Sequence, residues 1–400
     1  MLNSAKTKLA IFCLALVCAD TVARAQVAVA PEGKGTADDP CRITSMNNLV
    51  WLSDEVKKKN PTEGKFYKLM NDIDASATAK WNGGTGFTPI GYYKSPEDTV
   101  SFCGNFEGNG KTIKGLTINR PEQDFVGLFG LTGGDTSRVA NLTIDGGLFV
   151  ARNFSGCLVG ETNGGSIENC VATASIKGYG KEIGGLIGCN HGGCVVTSCS
   201  ATGAVSGNDV VGGLVGQNIG NSLVTRANAS GTIHATEDCA GGLVGDNAAR
   251  VSRSSASGSV TGFTYVGGLV GYNRRGSNIE NSFATGNAKG IKLIETMVGG
   301  LVGENFGTVR QCYATGKVIG TFHFGGLVGY NTANVGGLIA DSYWNKDTTG
   351  CATSADSPKT CGKTTDEMSR KATFAGWDFD KIWSLAEGDE GTTVAAPQLR

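Results

Sequence analysis

The run Gly212-Gly213-Leu214-Val215-Gly216 recurs letter for letter at 241–245, 267–271, 299–303 and 325–329. Weaker copies stand at Gly184-Gly185-Leu186-Ile187-Gly188, Gly156-Cys157-Leu158-Val159-Gly160 and Gly127-Leu128-Phe129-Gly130. Their leucines, from Leu128 through Leu158, Leu186, Leu214, Leu243, Leu269 and Leu301 to Leu327, are spaced 30, 28, 28, 29, 26, 32 and 26 residues apart. A period of this size marks a solenoid, in which each unit is one supersecondary module that must stack on its neighbours.

Each unit runs from the glycine-flanked leucine through a variable residue, an asparagine and a turn to a small-residue stretch such as Cys199-Ser200-Ala201-Thr202-Gly203-Ala204-Val205. Alternation of small or aliphatic with polar residues, punctuated by Gly and Asn, predicts short strands joined by tight turns. The 62 glycines lack the every-third spacing of collagen and leave no unit room for a helix. Three or four inward aliphatics at roughly 1.5–3 kcal/mol each do not offset backbone ordering at about 1–2 kcal/mol per residue. A lone unit is therefore unstable, whereas units stacked about 4.7–4.9 Å apart share ladder hydrogen bonds and one continuous core. The expected fold is all-β, a right-handed parallel β-helix of about eight to ten rungs.

Asn190, Asn218, Asn247, Asn273, Asn305 and Asn331 each stand four residues after a repeat leucine. Stacked amides donate and accept along a column, and Asn tolerates the left-handed backbone of a corner, so these six are expected to form a structural ladder at a corner. Thr44 or Ser45, followed by Leu49, Val50, Leu52 and Val56, with Lys57 to Lys59 and Pro61 beyond, predicts an N-capped amphipathic helix over the first rung. Thr365-Asp366-Glu367-Met368 predicts a short helix, and Phe374, Trp377, Phe379 and Trp383 are expected to close the last rung. The resulting division is a signal peptide over 1–25, an N-terminal lead-in and cap over 26–100, the β-helix over 101–345 and a C-terminal cap over 346–400.

The GGLVG-x-N repeat with its trailing small-residue strand resembles the GLUG motif of large bacterial secreted or surface proteins, which include adhesin-like proteins and the non-catalytic region of IgA-specific metallopeptidases. The flanks extend the resemblance: Gly35-Thr36-Ala37-Asp38-Asp39-Pro40, the stretch from Phe102 to Ile113, and Tyr343-Trp344-Asn345 onward. It implies the β-helical architecture and an exported location, and it supplies no catalytic residue to carry over. Cys41, Cys103 and the loop from Ser354 to Cys361 depart from the pattern, and no HExxH zinc motif is present.

Lys6 and Lys8, the apolar run Leu9 to Ala19 and Ala23-Arg24-Ala25 read as a secretory signal peptide cleaved after Ala25. The apolar run is too short to span a membrane, and no later segment approaches about 20 apolar residues. Cleavage removes Lys6, Lys8, Arg24 and Asp20, leaving 32 basic and 35 acidic residues, a net charge of −3 without the basic blocks that nucleic acid or an anionic membrane requires. Eleven of the 13 cysteines survive cleavage, and in an exported chain they favour disulfides over metal binding. Expected pairs are Cys41 with Cys103, Cys170 with Cys199 on adjacent rungs, and Cys351 with Cys361 around a local loop, and the odd count leaves at least one unpaired.

Conventional sites are sparse. Cys189, His191, Cys194 and Cys199 do not have a common zinc spacing, and His234 and His323 stand alone. Gly108-Asn109-Gly110-Lys111-Thr112 resembles a phosphate loop, yet the preceding glycine is missing and no crossover helix follows, so it reads as a turn. No metal, cofactor or catalytic residue is therefore assigned. The residues following each core repeat, Glu161, Cys189, Gln217, Asp246, Tyr272, Glu304 and Tyr330, are expected to line one outer edge. From that set Glu161, Gln217, Asp246, Tyr272, Glu304 and Tyr330 form the candidate binding column for an extracellular protein or glycan, against the plain alternative of a solvated face. The sequence thus points to an exported, non-enzymatic, adhesin-like protein. A β-helical polysaccharide lyase or hydrolase, or a purely structural envelope protein, remains the alternative.

Overall fold

The computed structural model describes residues 26–292, 294–356, 361–385 and 396–400; the expected signal peptide at 1–25 lies outside them. The chain winds into a parallel β-solenoid of about 11 turns. One turn runs through Val215–Asn218, Leu223–Thr225, Asn228–Ala229, Ile233–Ala235 and Cys239–Gly241 before the next begins at Val244. Equivalent strands stack into one 20-stranded sheet, two eight-stranded sheets and one six-stranded sheet. Val215 aligns with Val244, Val244 with Val270 and Val270 with Val302, so register is kept from coil to coil. The leucines form a single interior file from Leu128 to Leu327, all fully buried in one core.

The ladder starts ahead of residue 101, the expected beginning of the helix: Cys41–Ile43 pairs with Phe66–Leu69, which pairs with Asn105–Lys114. The interior of these first coils is filled by aromatics, Phe129 touching Phe102 at 4.9 Å and Phe106 at 5.4 Å. The longest repeat spacing, between Leu269 and Leu301, is absorbed outside the ladder between Gly290 and Met297, where Ile294 is exposed.

The glycine pair that dominates the sequence is demanded by packing. A Cβ on Gly213 would lie 2.0 Å from the carbonyl oxygen of Gly242 on the next coil, and one on Gly212 would lie 1.9 Å from the Val215 oxygen. Neither glycine needs a left-handed backbone; both occupy space that another backbone already fills.

The predicted N-terminal helix spans Met46–Lys57 after Ser45 and buries Leu49, Val50, Leu52 and Val56 against the first coils. Asn48 fixes its start, its Oδ1 accepting from the backbone N–H of Thr44 at 3.0 Å and of Ser45 at 3.2 Å. The short helix Thr365–Met368 also forms, capped by Thr364.

The C-terminal aromatics act differently from expectation. Phe374, Trp377, Phe379 and Trp383 pack sideways on Phe283 and Tyr313, which point outward from the 20-stranded sheet. Tyr313 Oη donates to the Pro397 carbonyl at 2.6 Å and Trp377 Nε1 to the Asp341 carbonyl at 2.9 Å. The last coil is instead plugged by Trp344, fully buried, whose Nε1 donates to the Cys351 carbonyl at 3.0 Å. Sequence order suggested an end plug; the outward Phe283, Tyr313 and Tyr343 of three consecutive coils provide an apolar surface for the segment to cover.

The asparagine ladder is continuous and buried. Thr162 Oγ1 donates to Asn190 Oδ1 at 2.9 Å, and each amide then donates to the next, through Asn218, Asn247, Asn273, Asn305 and Asn331, at 2.7–2.9 Å. None of these six has the left-handed backbone expected of a corner residue. That conformation belongs to another column, Asn141, Asn169, Ser198, Arg226, Arg253, Asn281, Gln311 and Asp341, with φ between 47° and 56°.

The residue following each left-handed corner explains three of the cysteines, Cys170, Cys199 and Cys312. Cys170, Cys199, Ala227, Ser254, Ser282, Cys312 and Ser342 all point inward, and a hydroxyl or thiol of one coil accepts from the backbone N–H of the coil before it. Examples are Cys170 N to Cys199 Sγ at 3.5 Å, Ala227 N to Ser254 Oγ at 3.1 Å and Cys312 N to Ser342 Oγ at 3.1 Å. Cys170 and Cys199 are therefore adjacent, as expected, but as thiols acting in place of serines. Cys41 and Cys103 are also thiols. Cys41 aligns with Tyr67 and Tyr67 with Phe106, so two ladder steps of roughly 9–10 Å separate their coils, beyond the reach of about 7 Å between bridged Cα atoms. Cys351 is a buried thiol, and part of the loop linking it to Cys361 lies outside the described residues.

Candidate functional site

The expected column exists in register: Leu131, Glu161, Cys189, Gln217, Asp246, Tyr272, Glu304 and Tyr330 are successive ladder partners. It is less open than an outer edge would be. Cys189, Asp246 and Glu304 are buried, and only Tyr330, at 36%, reaches clear exposure. The cause is a second column lying alongside. Two residues before each glycine pair or its degenerate copy stand Phe125, Phe154, Glu182, Val210, Cys239, Tyr265, Met297 and His323; the strands of the last six stack in the adjacent six-stranded sheet, and single bridges at Val126 and Ser155 continue the column to the first two. Close approach is enforced by the last glycine of each repeat: a Cβ on Gly216 would meet the Glu182 carbonyl carbon at 2.6 Å. The sequence reading missed this second column, although its fixed offset from the glycine pair was available.

Between the two columns runs a strip of rings and acids. Phe125 stacks on Phe154 at 4.7 Å and 7°, with Tyr93 leaning on Phe125 at 5.2 Å. Tyr265 stacks on Tyr272 at 5.2 Å and 23°, and Phe306 meets Tyr272 edge-on at 5.7 Å. His323 contacts Tyr330 at 5.0 Å and Phe322 at 4.4 Å. A ring pair therefore recurs near the start, the middle and the end of the strip.

The acids fall into two kinds. Asp246 is fully buried and satisfied: Arg274 grips it through Nε at 2.8 Å and Nη2 at 2.7 Å, and Gln217 Nε2 donates at 3.0 Å. Arg274 also lies 5.2 Å from the Tyr272 ring centre, joining this pair to the aromatic platform. Glu304 has no such support among the described residues, and Glu182 has only Lys181, whose Nζ lies 3.8 Å from its Oε1. Burial pushes both carboxyls up to about 7 from the ordinary 4.5, because desolvation penalises the charged form. Glu182 Oε2 and Asp209 Oδ1 are buried without a hydrogen-bond partner. Burial also raises Glu161 and Asp209.

Among the described residues no three His, Cys, Asp or Glu side chains are placed to hold a metal ion, so Cys189, His191, Cys194 and Cys199 do not assemble into one. No helix among them is long and apolar enough to cross a membrane. His234 stands apart on the Ile233–Ala235 strand, aligned with Ser206 and Thr261.

A family model for the GLUG motif matches residues 179–206, 264–289 and 295–319, which cover the coils bearing Glu182, Tyr265, Tyr272, Met297 and Glu304. Halomucin of Haloquadratum walsbyi is 40% identical over 156 residues, 38% of this chain and 2% of that protein. A protein of Evansella cellulosilytica named as a Gly-rich membrane protein is 33% identical over 417 aligned positions, covering 92% of this chain and 46% of that one. The chain thus spans less than half the length of these relatives. A crystal structure described as an immunoglobulin A1 protease from Bacteroides ovatus overlaps 92% of this chain and 94% of its own, with a TM-score of 0.46 and 17% identity.

Proposed function

Because this chain is a β-helical protein built of GLUG-motif repeats, we propose that it is an exported, surface-associated binding protein that takes a glycan along the strip between its two columns. The carrying observation is the recurrence of stacked ring pairs, Phe125 with Phe154 and Tyr265 with Tyr272, beside carboxylates and amides on one straight edge. The C–H faces of a sugar ring pack against aromatic rings, while its hydroxyls need polar partners such as Glu161, Gln217 and Tyr330. The solenoid holds these groups on a rigid ladder, so little ordering is lost on binding.

The test is retention of the chain on immobilised neutral and acidic polysaccharides. Tyr272→Ala with Tyr265→Ala is expected to weaken binding at least tenfold, about 1.4 kcal/mol, with the thermal transition retained. Unchanged retention would exclude the strip. Fractionation of the native cell tests export, and accumulation in the cytoplasm would defeat that part of the reading.

An enzymatic reading draws on the raised carboxyls. Glu182 and Glu304 lie three to four ladder steps, roughly 14–19 Å, apart, whereas a glycosidase pair sits about 5–9.5 Å apart. Glu161 and Glu182 are neighbours whose charges interact, and they are the pair this reading would use. Turnover on a polysaccharide panel that disappears in Glu182→Gln would establish it and displace the binding-only function.

A further inference from the structure

On the side of the solenoid covered by the C-terminal segment, a cavity of about 280 Å³ is lined by Arg226, Arg253, Lys381 and Arg400, together with Asn228 and Ser255. Among the described residues, four of its lining side chains are cationic and none is a carboxylate. Thr225 aligns with Ser252 and Asn228 with Ser255, so Arg226 and Arg253 occupy the same position on adjacent coils. Like charges in register one ladder step apart repel.

Two further features set this site apart. Arginines elsewhere on the same sheet are paired: Arg138 with Glu168 at 2.9 Å, Arg250 with Glu280 at 3.9 Å and Arg310 with Asp341 at 3.7 Å. Among the described residues, Arg226, Arg253, Lys381 and Arg400 make no ion pair. Moreover, Arg226 and Arg253 sit in the left-handed corner, with φ of 50° and 47°. Other coils place Asn141, Asn169, Ser198, Asn281, Gln311 or Asp341 there, and after Gly it is Asn and Asp that bear this backbone most readily. Two consecutive coils therefore carry a side chain that the corner does not favour, and both direct it to the same cavity, which holds no acidic side chain among the described residues.

We propose that this cavity is an oxyanion site that takes a sulfate or phosphate group, free or as a substituent of an acidic glycan. Guanidinium groups supply paired donors in a fork matched to such oxyanions, and Asn228 Nδ2, which donates to Ser255 Oγ at 2.8 Å, holds the floor polar. Arg400 is anchored through Nε to the Trp383 carbonyl at 2.8 Å and through Nη2 to the Phe379 carbonyl at 3.0 Å, which leaves Nη1 for a ligand.

Calorimetric titration of the exported chain with inorganic sulfate, and separately with phosphate, tests the site. Saturable binding is expected, weakened at least tenfold in the double variant Arg226→Asn, Arg253→Asn. That variant restores the residue used at Asn169 and Asn281, so its melting temperature is expected to be unchanged or higher. Lys381→Gln, which lies outside the ladder, is expected to weaken binding in the same direction should the double variant misfold. A sulfated oligosaccharide binding more tightly than inorganic sulfate and its unsulfated parent assigns the site to a glycan substituent. Equal affinity for sulfated oligosaccharide and inorganic sulfate assigns it to the free anion. No saturation by about 20 mM of either salt, or binding unaltered in the variants, overturns the proposal.

Discussion

At Asn247 a single amide serves two neighbours, accepting from Asn218 Nδ2 and donating to Asn273 Oδ1, both at 2.8 Å. Asn247→Ala removes both bonds, while Asn218 Nδ2 keeps the Arg250 carbonyl at 3.1 Å and Asn273 Oδ1 keeps the Ser277 hydroxyl at 2.7 Å, so a loss of about 1–2 kcal/mol is expected from urea denaturation. A second expectation concerns pH. The folded state raises Glu182 and Glu304 to about 7, so it holds protons there that the unfolded chain has already released. Their contribution is fully present below about 4.5 and is lost as pH rises through 7. Stability is expected to fall by on the order of 1–3 kcal/mol per carboxyl across that window, and Glu182→Gln with Glu304→Gln is expected to flatten the profile. The asparagine ladder was legible because its offset from each leucine never varies. The left-handed corners were not, because Ser198, Arg226 and Gln311 occupy the same position as Asn169 without its known tolerance of that backbone.

At the scale of one coil, the glycine pair is a spacing device between backbones. Gly213→Ala places a methyl 2.0 Å from a main-chain oxygen that cannot move without shifting the next coil. Loss of soluble folded protein, or destabilisation above about 4 kcal/mol, is expected in an expression and melting assay. Gly193→Ala is the control. It has open space around its Cβ and only a left-handed φ of 80° to strain, so a cost of about 1 kcal/mol is expected. The cysteines belong to this scale too: Cys170 and Cys199 alternate with Ser254 and Ser282 because either X–H group completes the corner. Their spacing alone gave no means of separating that role from a disulfide.

For the molecule as a whole, stability is a sum over coils and the contacts between them. Excision of residues 214–242 removes 29 residues, the interval from Leu214 to Leu243, and rejoins Gly213 to an identical Leu-Val-Gly. The shortened chain is expected to fold with a lower melting temperature, whereas excision of 214–228 moves inward residues outward and is expected to give insoluble protein. Circular dichroism and solubility distinguish the two. A chain in which both deletions behave alike would contradict coil-by-coil stacking.

By itself the sequence determined the solenoid, its leucine file and its amide ladder, because a repeat imposes one local solution at every copy and only coaxial stacking buries all copies together. Tertiary structure alone decided which columns face each other. Glu182 and Glu304 are raised, and Tyr265 meets Tyr272, because two sheets converge at a glycine that has no periodic partner in the acids themselves. The same holds for the C-terminal aromatics and the cationic cavity. Their position depends on which outward side chains three separate coils happen to present, and that is a property of stacked neighbours rather than of any one segment.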